Sequence, residues 1–273
     1  MCMVTIVNEN FNIKQIAQSG QCFRMDMLDE KSCRLISGSK YLRLEQDADR
    51  IIFHCTEEEF ADHWADYFDL DTDYKSMINA IDKDDLYLSE AARFGSGIRI
   101  LRQEIWETIV SFLISQQNNI TRIKRCISNI SEKYGESCIS DDGTGYFAFP
   151  KAETLACLPE DELMKCNLGY RSKYVVRTAR MVAEGSFDTE ALFKMEYPEA
   201  RAKLKELYGV GNKVADCVCL FGLHLIEAFP IDTHIIQVLS EHYSEKAFPF
   251  ERYDGFAGVI QQYMFYYDLD RQR

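Results

Sequence analysis

Up to Cys55 the apolar positions fall in short runs: Met3–Val7, Cys22–Met27, Cys33–Ser37, Tyr41–Leu44 and Ile51–Cys55. Asp29-Glu30, Ser37-Gly38 and Asp47-Ala48-Asp49 separate several of them, so the pattern predicts strands joined by turns. Strict alternation shows only in YLRLE, and a twisted antiparallel sheet is expected. A short helical pattern at Ile13–Ala17 leads through Gly20 into it. Beyond Thr56 the spacing lengthens. Phe60, Trp64, Tyr67 and Phe68 lie one helical turn apart, which predicts solvated helix packed on the sheet through Ser89. From about Arg99 the chain reads as helices joined by ordinary loops. Glu104–Gln116 carries a broad apolar face (Ile105, Ile109, Phe112, Leu113) and is a core helix. Glu160–Cys166, Tyr174–Ala183, Glu190–Tyr208 and the aromatic-rich Gly255–Asp268 follow, with a turn-rich connection at Ser137–Phe149. The fold class expected is α+β: an antiparallel sheet domain with an acidic helical segment over residues 1–95, then a helical domain over 96–273.

Composition narrows the functions. A chain of 273 residues with 47% hydrophobic content can bury one large core or two modest ones. No run of 18 apolar residues predicts a membrane span, and MCMVTIVNEN lacks the basic start and cleavage pattern of a secretory signal. The ten cysteines are scattered without a CxxC pair, so a reduced, intracellular protein is expected: cytoplasm and nucleoid in a bacterium, nucleus in a eukaryote. Cys217-Val218-Cys219 is too tight for zinc, and no metal site is expected. With no HxE and no PCxxC, zinc-dependent base deamination is excluded; with no phosphate-binding glycine loop, nucleotide hydrolysis has no support.

The net charge of −13 argues against a nucleic-acid partner until its distribution is considered. Thr56–Glu90 holds twelve Asp/Glu and two Lys, so −13 less −10 leaves −3 for the other 238 residues. Leu163–Ala183 carries Lys165, Arg171, Lys173, Arg177 and Arg180 with no acid, which predicts a local basic face able to hold a duplex with salt-sensitive affinity.

The chemistry centres on Leu204–Asp232. Two amphipathic helical patterns are joined by Gly209-Val210-Gly211, where both glycines are free to take positive φ. Backbone N–H groups and the helix opening at Asn212 would meet an anion there. Such a helix-hairpin-helix is a common grip on DNA phosphates, although an ordinary αα-hairpin with a glycine turn has the same pattern. Lys213 stands at the mouth of the second helix, and Asp232 follows nineteen residues later. Gln116-Gln117-Asn118-Asn119 is a row of amides. It reads as a polar loop, or as donors and acceptors suited to an orphaned base.

GVGNKVADC with FPIDTH resembles the active-site signature of the 8-oxoguanine DNA glycosylases within the helix-hairpin-helix superfamily. SGQCFR, YFDLD, RILRQE, SFLISQQNNITRI, NLGYRSKYV and FYYDLDRQR match the family in the same order, so the resemblance spans nearly the whole chain. It implies a bifunctional glycosylase and abasic-site lyase that flips 8-oxoguanine out of duplex DNA. Lys213 would attack C1′ and pass through a Schiff base to β-elimination, and Asp232 would be its electrostatic partner. Gly20 would offer its carbonyl to N7–H of the lesion, with Phe23 in the same matched stretch. Cys217 and Phe265 would sandwich the base, and Gln261 would bond its pairing edge. Gln117, Asn118, Asn119, Arg122 and Arg171 would face the gap and the opposite cytosine, Tyr170 would be the wedge, and Gly209, Gly211 and His234 would contact DNA. The family has asparagine where this chain has Gln117, which puts the strictness for cytosine in doubt. From the residues alone, Gly20 is also a plain turn glycine, Arg122 a surface arginine, His234 a helix histidine, and Phe265 and Cys217 ordinary core residues. No four-cysteine cluster loop follows Asp232. The resemblance implies no required cofactor, at most a monovalent cation on the hairpin carbonyls, and a monomer with duplex DNA as its partner. A glycosylase of this fold for another damaged purine, or a non-catalytic binding module, is the alternative.

Overall fold

The computed structural model describes residues 2–271. Five strands form an antiparallel sheet in the order β1-β5-β4-β3-β2: β1 Val4–Val7, β2 Met25–Met27, β3 Ser32–Ser37, β4 Lys40–Asp47 and β5 Arg50–His54. Cys33, Leu35, Leu42, Leu44, Ile51 and Phe53 share its inner face, with Leu35 opposite Leu42 and Leu44 opposite Phe53. The expected strands are thus all present. β2 is shorter than its apolar run because the preceding residues pass between two cores: Cys22 is buried with the sheet and Phe23 with the helices.

The acidic segment divides. Thr56 caps a helical stretch in a capping box, and Trp64, Tyr67 and Phe68 pack on the sheet as expected. Tyr74–Asn79 and Leu86–Phe94 do not. Tyr74, Ile81, Leu88 and Ala91 belong to the helical core, where the ring of Phe94 stacks on Tyr266 at 5.3 Å. The division between apolar clusters therefore falls near residue 70, because the aromatic spacing that marks the first half does not continue into the second. The Ser137–Phe149 connection also holds a small hairpin, Ser137–Ile139 with Gly145–Phe147. It docks on the sheet domain, where Tyr146 Oη donates to the carbonyl of Ser39 at 2.9 Å.

Two buried cations join the bodies. Arg99, 1% exposed, donates to carbonyls of Asn10, Phe68, Asp69 and Thr72. Arg24 meets Glu107 at 3.4 Å and donates to the carbonyl of Phe147, while Gly38 N–H donates to the same Glu107 carboxylate at 2.8 Å. Burial pushes Glu107 up to about 7 although Arg24 pulls the other way. No helix among the described residues is long and apolar enough to cross a membrane, and all ten cysteines are free thiols.

Candidate active site

The hairpin lies between the helices Tyr197–Leu204 and Asn212–Phe221. Gly209 has φ +90°, and a Cβ there would sit 2.6 Å from the Tyr174 ring, so glycine is required twice over. Gly211 differs from expectation. Its φ of −96° is open to any residue, and its importance is the empty space around it. It is the N-cap of the Asn212 helix and supplies no side-chain cap, which leaves the first N–H groups facing solvent for an anion.

At the second residue of that helix, Lys213 Nζ donates to Ser115 Oγ at 3.3 Å and rests 5.1 Å over the Phe112 ring. Asp232 is the N-cap of the helix Thr233–His242; its Oδ1 accepts from Ile235 N–H at 2.9 Å. Both line one cavity with Gly20, Cys217, Gln261 and Phe265. Burial pushes the Cys217 thiol up to about 11, Lys213 pulls it down and Asp232 pushes it up, so both charges act on one sulfur that stays protonated at neutral pH.

The cavity measures about 30 Å³, and Phe265 is part of its wall. Gly20 has φ +78°, and a Cβ built on it would lie 2.9 Å from Phe265 Cε1. Gly20 is held by its neighbours: Gln21 Nε2 donates to the Arg99 carbonyl and Gln21 Oε1 accepts from Leu101 N–H, both at 2.9 Å. Gln261 is 4% exposed and its Oε1 has no hydrogen-bond partner, an omission that costs about 1–3 kcal/mol unless a ligand fills it. Phe23 packs edge-on against Phe112 at 5.6 Å, on the outer groove and behind the tight cavity. His234 is edge-on to Phe265 at 5.6 Å and bonded to Asp268 at 3.3 Å, so in this state it buttresses Phe265. Sequence reasoning passed over Gln262, buried beside Gln261, whose Nε2 donates to the Ser19 carbonyl at 2.8 Å. It also passed over Ser115. The only signal for either was adjacency to a matched residue.

Across the groove the amide row ends the helix Ile105–Ser115. Asn118 Nδ2 donates to the Ile114 carbonyl, and Asn119 Oδ1 caps the helix Ile120–Tyr134. One atom of each amide is thus taken by the backbone, as in the polar-loop reading of the row, while Asn119 remains exposed. Gln117 is exposed and has φ +47°, a left-handed conformation costing about 1–3 kcal/mol for a residue with a Cβ. Its Oε1 accepts from Tyr170 Oη at 3.5 Å, and Tyr170 is 45% exposed. Arg122 is exposed and weakly held, donating to the Asn167 carbonyl at 3.5 Å. Arg171, expected to reach outward, is 3% exposed and bonded to backbone carbonyls. Most of the rest of the basic run is also paired: Arg177 and Arg180 with Glu160, and Lys165 with Glu162, while Lys173 lies 5.7 Å over the Tyr174 ring. The expected basic face is thus largely neutralised, because the helix and the acids before it fold against each other.

Comparison with known proteins settles the family. Residues 3–109 match the 8-oxoguanine DNA glycosylase N-terminal domain, and residues 110–253 match the HhH-GPD superfamily of base excision DNA repair proteins. An N-glycosylase/DNA lyase of Saccharomyces cerevisiae is 31% identical over 264 residues, covering 86% of this chain and 69% of the yeast protein. The chain belongs to the 8-oxoguanine DNA glycosylase family. With that membership it is an N-glycosylase/DNA lyase, built as a five-stranded sheet domain followed by a helical domain. The 8-oxoguanine glycosylase/lyase of Clostridium acetobutylicum, solved with duplex DNA containing cytosine opposite 8-oxoguanine, superposes with a TM-score of 0.93 at 33% identity, over 100% of this chain and 97% of that one. A probable N-glycosylase/DNA lyase of Methanothermobacter thermautotrophicus is 29% identical over 72% of this chain and 71% of its own length.

Proposed function

We propose that this glycosylase/lyase uses Lys213 as its nucleophile and Asp232 as the carboxylate that stabilises the oxocarbenium-like sugar, on 8-oxoguanine paired with cytosine. The observation that carries the reading is one cavity on which an amine, a carboxylate and an unpartnered amide oxygen converge. The free amine of Lys213 bonds to C1′ as the N-glycosidic bond breaks, and the base leaves with the electron pair and takes up a proton. Opening of the sugar ring converts the C1′ adduct to an imine, with the ring oxygen accepting a proton. Loss of a proton from C2′ then expels the 3′ phosphate, and water returns the lysine. Asp232, on the wall of the same cavity, would lower the barrier as a fixed carboxylate facing the developing positive charge.

Gln261 Oε1 accepts an N–H from the pairing edge of the base, and the Gly20 carbonyl accepts N7–H, a donor that guanine lacks. Cys217 and Phe265 provide the two faces. The Phe265 ring must leave Gly20 to admit a base, so binding and pocket opening are one event. Phosphates sit at the uncapped start of the Asn212 helix, Tyr170 enters the stack, and Gln117 with Arg122 meets the opposite base.

Borohydride trapping on a duplex with 8-oxoguanine opposite cytosine tests the assignment. The wild-type chain should form a covalent adduct, and Lys213→Gln should form none while still binding. An adduct formed at undiminished yield by Lys213→Gln would remove the lysine from the mechanism.

A further inference from the structure

The turn Ser19-Gly20-Gln21 offers three successive carbonyls, and the outer two are taken. Gln262 Nε2 donates to Ser19 O and Gln103 Nε2 donates to Gln21 O, both at 2.8 Å. The Gly20 carbonyl between them accepts no hydrogen bond among the described residues. Gln262 belongs to the helix Ala257–Arg271 and is 2% exposed, and Ser19 is fully buried. Only the N–H side of an amide can face a carbonyl, so Gln262 Oε1 is turned away from Ser19, and it has no partner. A buried amide with one half unsatisfied gains little for the fold, and stability does not explain a glutamine there. The same helix meets the turn a second time through Phe265, whose Cε1 lies 2.9 Å from a Cβ built on Gly20. When that ring moves to admit a base, the Gln262 bond remains as the helix's hold on the turn.

We propose that Gln262 is a positioning residue for lesion recognition, with Gln103 as its counterpart on the other side of Gly20. The two amides fix the turn and leave its middle carbonyl unoccupied for the base. Glycine gives a backbone more freedom than any other residue, so an acceptor carried on it needs restraint from outside. The inference rests on the reading of the Gly20 carbonyl as the acceptor for N7–H.

The test measures binding to duplexes with 8-oxoguanine or guanine opposite cytosine, each carrying a 2′-fluorine that slows base release, and cleavage of a preformed abasic site. Gln262→Met keeps the side-chain volume and removes the donor. Its preference for the 8-oxoguanine duplex should fall about tenfold, the scale of one misplaced hydrogen bond, with abasic-site cleavage kept within about twofold of wild type. Gln103→Met should lower the preference in the same direction. An unchanged preference in Gln262→Met, equal weakening on both duplexes, or a matching loss of abasic-site cleavage would overturn the proposal. If Gln262→Met does not fold, Gln103→Met carries the test: a reduced preference supports the proposal and an unchanged one overturns it. Unfolding of both variants makes the two glutamines residues of the fold and overturns it as well. A wild-type chain without the preference removes the Gly20 reading and this proposal with it, whereas a failure here alone shows only in the variants.

Discussion

The cavity proposed for the lesion and the face proposed for the opposite strand lie on two sides of one groove and are built in opposite ways. In the cavity, Gly20, Cys217 and the pair Gln261 and Phe265 come from three distant stretches, with about 30 Å³ left open and the amide oxygens of Gln261 and Gln262 unsatisfied. On the opposite face, Gln117 and Tyr170 are exposed beside left-handed turns whose carbonyls accept from the buried Arg171. In the proposed reaction cavity the side chains are packed against one another, as preorganisation requires. On the face proposed to part the duplex, the side chains are exposed.

The largest effect that can break this contrast is expected at Asp232. Asp232→Asn preserves an N-cap and should leave the melting temperature unchanged, while turnover falls about 10²–10³-fold as for loss of a transition-state electrostatic group. Asp232→Ala should add a stability loss of about 1 kcal/mol, read by denaturant titration. If both variants lose stability alike and keep turnover, Asp232 is only a cap.

Gly20→Ala comes next. Its Cβ would meet Phe265 Cε1 at 2.9 Å on a backbone with φ +78°. Denaturation should show a loss of about 1–3 kcal/mol. Excision should slow while cleavage of a preformed abasic site is retained, because only the base needs that space. Equal loss of both activities would mean that the cavity does not act separately from the lysine.

The smallest effect concerns the joint behind the groove. Glu107 is pushed up to about 7 by burial, against an ordinary 4.5, so between those pH values the native state binds a proton that the unfolded chain has released. Stability should therefore fall as pH rises through that window and level off above it, by at most a few kcal/mol. Glu107→Gln should flatten the profile in calorimetric melts from pH 5 to 8. An unchanged slope would assign the pH dependence to another group.

Periodicity and turn residues alone determined the α+β order, the five strands and the core helix before the amide row, since alternation and helical spacing are local properties of a chain. The order of the matched motifs likewise led to the lysine and the aspartate. Only the tertiary structure decided that residues 74–94 pack with the helices, that a hairpin lies within 137–147, and that most of the basic run is spent on Glu160, Glu162 and carbonyls. It also separated the two hairpin glycines and turned Arg171 inward. Each of these depends on which distant group fills a side chain's hydrogen bonds or lies against a missing Cβ, and residues far apart in a chain carry no local mark of their meeting.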